Sequence, residues 1–559
     1  GQYAPLPALH RHLADQVLDP TAADLGLFVP PAQRAARGDW RRGARGGPVS
    51  VGEAGGLAAL AAADMPGNAY RGDPALVRRA TLAAFGHLAQ LDGGDLIREG
   101  TLADSRYPIT HAFFIFPSLA EAFRLLTGHL DAEAEAVWRE ALLAIADRVA
   151  QHHAFQTNQW WHHVLALGLV AQATEDARVR AAWGASLSAL LERRDAKGLG
   201  QAPAGFFVEE GGMDGNYDML SGTCLAQCLE LAEAGGDRAL ATCLAAALAR
   251  NAAWQALFWL PHGAGAVAPT SANTRTDTPL TGGGWPGIAL ARRHDPLAAA
   301  RWRLLTPPEG TYPGIVFPHL INDAAWARRC LAAYLAAKGD TVGAAWTAAA
   351  VAAARAPVLA PAPLPCRTPG FQRELPGLSA WRSGPFYVLA IGDGGPAARA
   401  AGGAPAAVWC DGVGAVVLAL RPGKEPLHMA VIAGGAWSGG EAAELRRAGA
   451  RVSAEAPCPA LGGPVRWTYR HDGNALEIAV AAPPAAGAVL QVPLCWQDDA
   501  AWTPESDGGV LAQGRAAVRL RWGAAGATLL PPLTVGSQTI RRLRIPLSAA
   551  GTLSVRLER

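Results

Sequence analysis

The chain has 559 residues, half of them hydrophobic and 17% charged, with a formal net charge of +2. A single hydrophobic core stops growing near ~250 to 300 residues, so two large domains are expected, and a chain this apolar is not disordered by composition. The near balance of charge, without a block of like charges, excludes recognition of nucleic acid or an anionic membrane by bulk electrostatics. No apolar run reaches the ~20 residues that span a bilayer, so no membrane partner is expected. Eight scattered cysteines, with no CxxC pair and no zinc spacing, read as buried free thiols.

From about Val51 to Ala354 the sequence repeats helix-period apolar segments of some 12 to 20 residues, separated by short polar, Gly or Pro breaks. Pro74 to Leu91, Phe113 to Leu126, Ala132 to Ala150, Gln159 to Ala173, Ala177 to Leu191, Met219 to Ala234, Asp237 to Phe258 and Asp323 to Lys338 are the clearest. Helices of this kind with no strands between them must stack to bury their apolar stripes, which predicts an N-terminal α/α toroid, an incomplete barrel of helical hairpins. Long non-helical stretches (Asp92 to Ala112, Gly198 to Asn216, Leu260 to Gly287, Thr306 to Asn322) alternate with the pairs and are where a binding site is expected.

Proline density rises at residues 356–369 (APVLAPAPLPCRTP), as in a linker. Short β-prone runs follow, among them Phe386 to Ile391, Gly414 to Leu420, Val465 to Tyr469, Leu476 to Val480, Val489 to Leu494, Ala517 to Trp522, Thr539 to Ile545 and Leu553 to Leu557. The predicted organisation is therefore a toroid at 1–355, a linker at 356–369 and an antiparallel β-sandwich at 370–559.

The densest chemistry is Thr157-Asn158-Gln159-Trp160-Trp161-His162-His163, at the start of a helix. Asn158 and His162 are four apart and share a helix face, as do Gln159 and His163. Trp160 and Trp161 beside amides and imidazoles make a floor for sugar rings, because aromatic faces pack on sugar C–H groups while amides bond hydroxyls or carboxylates. The plainer reading is a capped helix followed by core aromatics. A second cluster, Phe206 to Tyr217, carries Glu209, Glu210, Asp214 and Asn216 on a Gly-rich loop that delivers Tyr217 to the next helix. A third set, Asn273, Arg275, Asp277 and Trp285, with Arg106, Tyr107 and His111, is expected to complete the walls of a cleft.

A helical toroid followed by a β domain, an Asn-x-Trp-Trp helix start and a later Gly-Asn-Tyr helix start resemble the α/α-toroid polysaccharide lyases, which include hyaluronate, chondroitin, alginate and heparinase II/III-type enzymes. The resemblance covers nearly the whole chain in architecture but only these short motifs in residues. It implies β-elimination on a uronic-acid-containing polysaccharide or oligosaccharide. Asn158 would neutralise the uronate carboxylate, His162 or His163 would serve as base or neutraliser, and Tyr217 as acid and even base. Arg275 is a further cation for the developing charge. Gln159, Trp160, Trp161, Trp285, Arg106, Tyr107, His111, Asn216 and Glu210 would bind substrate. It implies no cofactor and no metal, since the β half holds only His428 and His471, and a bacterial protein of the periplasm or the exterior, although Gly1-Gln2-Tyr3 does not read as a signal peptide.

Two rival readings stay open. A glycoside hydrolase on an α/α barrel needs two carboxylates ~5 to 10 Å apart, for which Glu209, Glu210, Asp214 and Asp277 are candidates. A non-catalytic carbohydrate-binding protein would keep the tryptophans and need neither Tyr217 nor His162.

Overall fold

A computed structural model of the chain describes residues 13–14, 16–22, 25–26, 51–62, 70–88, 112–151, 156–192, 198–209, 212–263, 265–269, 285–305, 359–393, 402–420, 426–513, 516–523, 525–535 and 538–559. Ten helices lie among the described residues: α1 Val51–Ala62, α2 Pro74–Leu88, α3 Ala112–Leu126, α4 Ala132–Gln151, α5 Thr157–Thr174, α6 Ala177–Leu191, α7 Gly215–Ala234, α8 Arg238–Gln255, α9 Trp285–Ala291 and α10 Pro296–Leu305. Short strands interrupt them, β1 Gly200–Gln201, β2 Phe207–Glu209 and β3 Gly212–Met213 before α7, then the hairpin β4 Leu260–His262 and β5 Gly265–Val267. The expected helix at Asp323 to Lys338 falls outside the described residues.

The fold class is helical domain first, antiparallel β domain second. Packing nevertheless divides the chain into two compact units that do not part only at the Pro-rich segment. One comprises Gly1–Gly200, Ser221–Ala246 and Pro308–Pro357, and the other Gln201–Leu220, Ala247–Pro307 and Val358–Arg559. Of the residues assigned from sequence to the toroid, 201–209, 212–220, 247–263, 265–269 and 285–305 fall in the second unit with the β strands.

In the first unit α5 packs against α3, α4 and α6. It is buried on nearly every face, from Thr157 to Thr174, which explains why its sequence is apolar all round after the first turn. Gly168 permits the close approach of α6, because a Cβ there would lie 2.7 Å from the Trp183 ring. Trp138 on α4 is fully buried between Phe85 and Phe123, with ring centroids 5.8 and 5.6 Å away.

In the second unit the β strands form two large antiparallel sheets. The first runs in the order Ala436–Trp437, Ala430–Ala433, Val489–Trp496, Gly414–Leu418, Pro405–Cys410, Phe386–Ile391, Leu378–Ser383, Gln372–Leu375, with Gln538–Pro546 also on Val489–Trp496 and Thr528–Val535 beyond it. The second runs Glu444–Ala448, Arg451–Ala456, Val465–Asp472, Ala475–Ala481, Thr552–Glu558, Ala516–Arg521, Gly508–Gln513, Ala501–Glu505. Val388, Val408, Val492 and Leu543 of the first sheet share one core with Trp467, Ile478 and Val555 of the second. The second sheet shows the alternation of a half-wet surface, as in Val465–Asp472, where Val465, Trp467 and Tyr469 are buried and Arg466 and Arg470 are exposed.

Strand Phe386–Ile391 is buried at every position. Its second face, with Tyr387 and Leu389, is covered by Trp254, Leu257, Phe258 and Leu260 from the end of α8 and the chain after it.

Candidate active site

The first group of candidate residues sits on the opening turns of α5. Gln156 is the N-cap in extended conformation (φ −131°, ψ 156°), and its side chain does not cap the helix. Its Oε1 instead accepts from Asn158 Nδ2 at 3.3 Å, which orients the amide. Gly200 N donates to Thr157 Oγ1 at 3.1 Å and ties this helix start to the chain near β1. One turn on, His162 Nδ1 lies 2.7 Å from the Asn158 carbonyl oxygen. A carbonyl can only accept, so Nδ1 carries the hydrogen and the lone pair of the neutral ring is on Nε2. That contact is to the backbone of Asn158, and the two residues have 3% and 7% of their surfaces exposed.

The two tryptophans beside them are at least as enclosed as Asn158. Trp161 is fully buried and Trp160 is 3% exposed. His163 is buried as well. Gln159 is half-buried, with its Oε1 unpartnered among the described residues.

The second group lies around the start of α7. Strands β2 and β3 pair Val208 with Met213 and Glu209 with Gly212. Asp214 is the cap of α7: its Oδ1 accepts from Tyr217 N at 3.1 Å, and its carbonyl accepts from Asp218 N at 2.8 Å. Tyr217 is half-buried in the first turn. Glu209 and Asp214 are 2% and 1% exposed. The capping bond gives Asp214 a structural task that fits poorly with the hydrolase reading.

A buried polar network behind Tyr217 has no counterpart in the sequence reading. Asp218, fully buried, accepts from Phe207 N at 2.7 Å, from Asn251 Nδ2 at 3.1 and 2.9 Å, and from Gln255 Nε2 at 2.7 Å. Gln255 Oε1 in turn accepts from Arg301 Nη1. Arg301 is 2% exposed and stands 5.9 Å from the centroid of the Trp259 ring. Burial pushes the Asp218 carboxyl up to about 7, against the pull of its donors and of Arg301, and burial likewise lowers Arg301 to about 10. A lone aspartate beside a tyrosine reads as an exposed helix residue; the only hint in the sequence was the pair Asn251 and Gln255, four apart on α8.

Arg106, Tyr107, His111, Glu210, Asn273, Arg275 and Asp277 lie outside the described residues, as do the side chains of Asn216 and Trp285. Among the described residues no three His, Cys, Asp or Glu side chains gather closely enough to hold a metal ion. No helix there is long and apolar enough to cross a membrane.

No protein-family model matches the chain, and no curated protein matches it in sequence. Solved structures do match in fold. The chondroitin AC lyase of Streptomyces coelicolor, in complex with chondroitin sulphate, superposes with a TM-score of 0.57 at 13% identity, over 99% of this chain and 78% of that one. A mutant of the same lyase gives 0.56 at 14% identity, with the same coverage. The xanthan lyase of Paenibacillus gives 0.55 at 11% identity, covering 99% of this chain and just over half, 56%, of that protein. With its helical domain followed by an antiparallel β domain, the chain has the fold of the polysaccharide lyases.

Proposed function

We propose that the protein is a lyase that cleaves a uronic-acid-containing polysaccharide or oligosaccharide by β-elimination. The observation that carries this reading is the pairing of Asn158 and His162 on one face of α5, with the imidazole Nδ1 tied to the Asn158 carbonyl, in a chain whose fold matches chondroitin AC and xanthan lyases. A proton α to a carboxylate is too weakly acidic to remove unless donors stabilise the charge that develops. Asn158 would donate to the uronate carboxylate, with Arg275 as a second donor. His162, through Nε2, or Tyr217 would take the C5 proton. The electrons of that C–H bond form the C4–C5 double bond as the C4–O4 bond breaks, and Tyr217 would protonate the departing O4. The reaction so written draws on no cofactor. A polymer of this kind is met in the periplasm or outside the cell, which is the location proposed.

Incubation with a panel of uronate polysaccharides that includes chondroitin sulphate and xanthan, followed by near-UV absorbance of the unsaturated product, tests the reading. Tyr217→Phe keeps the ring and removes the hydroxyl, so turnover should fall by roughly 10² to 10⁴ with binding intact. His162→Ala should be comparably damaging and His163→Ala less so. Near-normal turnover by Tyr217→Phe, together with a dead Asp214→Asn or Glu210→Gln enzyme, would replace the lyase by a hydrolase.

A further inference from the structure

The second unit holds a fully buried carboxylate that the proposed elimination does not use, one residue after the tyrosine on which that elimination depends. Asp218 gathers donors from three residues on two elements: the backbone of β2 through Phe207 N, and α8 through Asn251 and Gln255, one turn apart. Through Gln255 it is joined to Arg301 of α10. Every contact is made by an N–H donor, so both oxygens of the carboxyl group are held, with Arg301 as the facing cation. The same network grips the loop that leads to β2. Asn251 Nδ2 and Gln201 Nε2 both donate to the Gly205 carbonyl, at 3.2 and 3.1 Å. Gly205 has φ +108°, and a Cβ there would fall 2.2 Å from the Arg250 carbonyl oxygen, so the loop lies directly on α8.

Asp218 thus ties the first turn of α7 to β2 and to two side chains of α8. Tyr217 occupies that turn, half-buried, with its amide held by the Asp214 cap. We infer that Asp218, with Asn251, Gln255 and Arg301, is a positioning device that sets the Tyr217 hydroxyl for proton transfer. The inference rests on the lyase reading for what Tyr217 does, and on the hydrogen bonds alone for what holds it. A displacement of about 1 Å at a reacting group can cost on the order of 10² in rate, so the device acts on turnover and little on affinity.

Asp218→Asn keeps the volume but turns one oxygen into a donor facing donors. Asn251→Ala keeps the carboxylate and removes donors to both of its oxygens, and serves where the first variant folds poorly. With chondroitin sulphate, or whichever panel polymer the wild-type protein cleaves, each should lower kcat by roughly 10- to 100-fold and leave KM within about 2-fold. In a Tyr217→Phe background the same substitutions should have almost no further effect on kcat, because a group acting through the hydroxyl has nothing left to position. Hydrogen exchange at Phe207 and Tyr217 should quicken in Asp218→Asn while the central strands of the β domain stay protected. Unchanged kcat in both variants, additive losses with Tyr217→Phe, or unchanged exchange would each overturn the inference. Wild-type protein that cleaves no polymer of the panel sinks the lyase reading instead and leaves the anchoring to be judged by the exchange measurement.

Discussion

Asp218 makes the stability of the second unit depend on pH in a direction opposite to that of most paired carboxylates. Its carboxyl titrates at about 7 in the folded protein because burial outweighs its donors and Arg301, and at the ordinary value of about 4 when unfolded. Between those limits the folded state binds the extra proton, so this group favours folding below about pH 4 and loses that contribution as pH rises to about 7. Each unit of separation is worth about 1.4 kcal/mol. Urea midpoints measured from pH 5 to pH 8 should therefore fall across the lower part of that range and level off above 7, and Asp218→Asn should flatten the fall. A wild-type midpoint that climbs from pH 5 to 7, with the variant following the same curve, would mean that the donors and Arg301 dominate and the carboxylate is ionised throughout. The other carboxylates with lowered values, such as Glu444 and Glu455, are exposed and contribute little over the same range.

At the level of the element, α5 places its polar opening turn against an apolar remainder, and the two parts answer to different measurements. Trp161 is fully buried on a helix enclosed by α3, α4 and α6. Trp161→Ala is expected to cost roughly 3 to 5 kcal/mol, seen as a Tm drop of many degrees; a variant that keeps its Tm but loses polysaccharide affinity would restore the ring to the substrate. The helices were legible because their period is strong: Ala177–Leu191 is found as expected, and α7 starts at Gly215, four residues earlier than Met219, because Asp214 supplies a cap that hydrophobic periodicity does not register. The missed strands have physical reasons too. Glu444–Ala448 is charged and wet, pairing residue by residue with Arg451–Ala456 at the sheet edge, and Pro405–Cys410 is Ala-rich and buried on both faces, so neither shows a clear alternation with β-branched residues. Of the candidate site, the i,i+4 pairing of Asn158 and His162 could be read from spacing, whereas Asp218 meets partners 33 and 37 residues away that only the fold brings near.

The whole molecule is cut differently by its packing than by its composition, and the reason lies under the first β sheet. Tyr387, Leu389 and Trp409 point away from the sandwich core onto Trp254, Leu257, Phe258 and Leu260. The polar ends of these side chains are satisfied there as well: Tyr387 Oη donates to the Leu257 carbonyl and Trp409 Nε1 to the Pro261 carbonyl, both at 2.8 Å. Gln538 Nε2 reaches the Ala268 carbonyl at 3.2 Å. A fragment comprising residues 358–559 would carry both sheets but expose this second apolar face, leaving the Tyr387 and Trp409 donors to water instead of the carbonyls they meet in the full chain. A large exposed apolar patch on a sheet is an aggregation surface. Expressed alone, 358–559 should therefore be recovered aggregated, or as a species that unfolds without a sharp transition, whereas 201–559, which retains residues 247–307, should be the more soluble and the more cooperative of the two. Size-exclusion chromatography with near-UV circular dichroism separates the outcomes. A monomeric 358–559 fragment with a cooperative melt and an ordered aromatic spectrum would show that the sandwich core joining Val388, Trp467 and Val555 suffices by itself, and that the strands form an independent domain beginning at the Pro-rich segment.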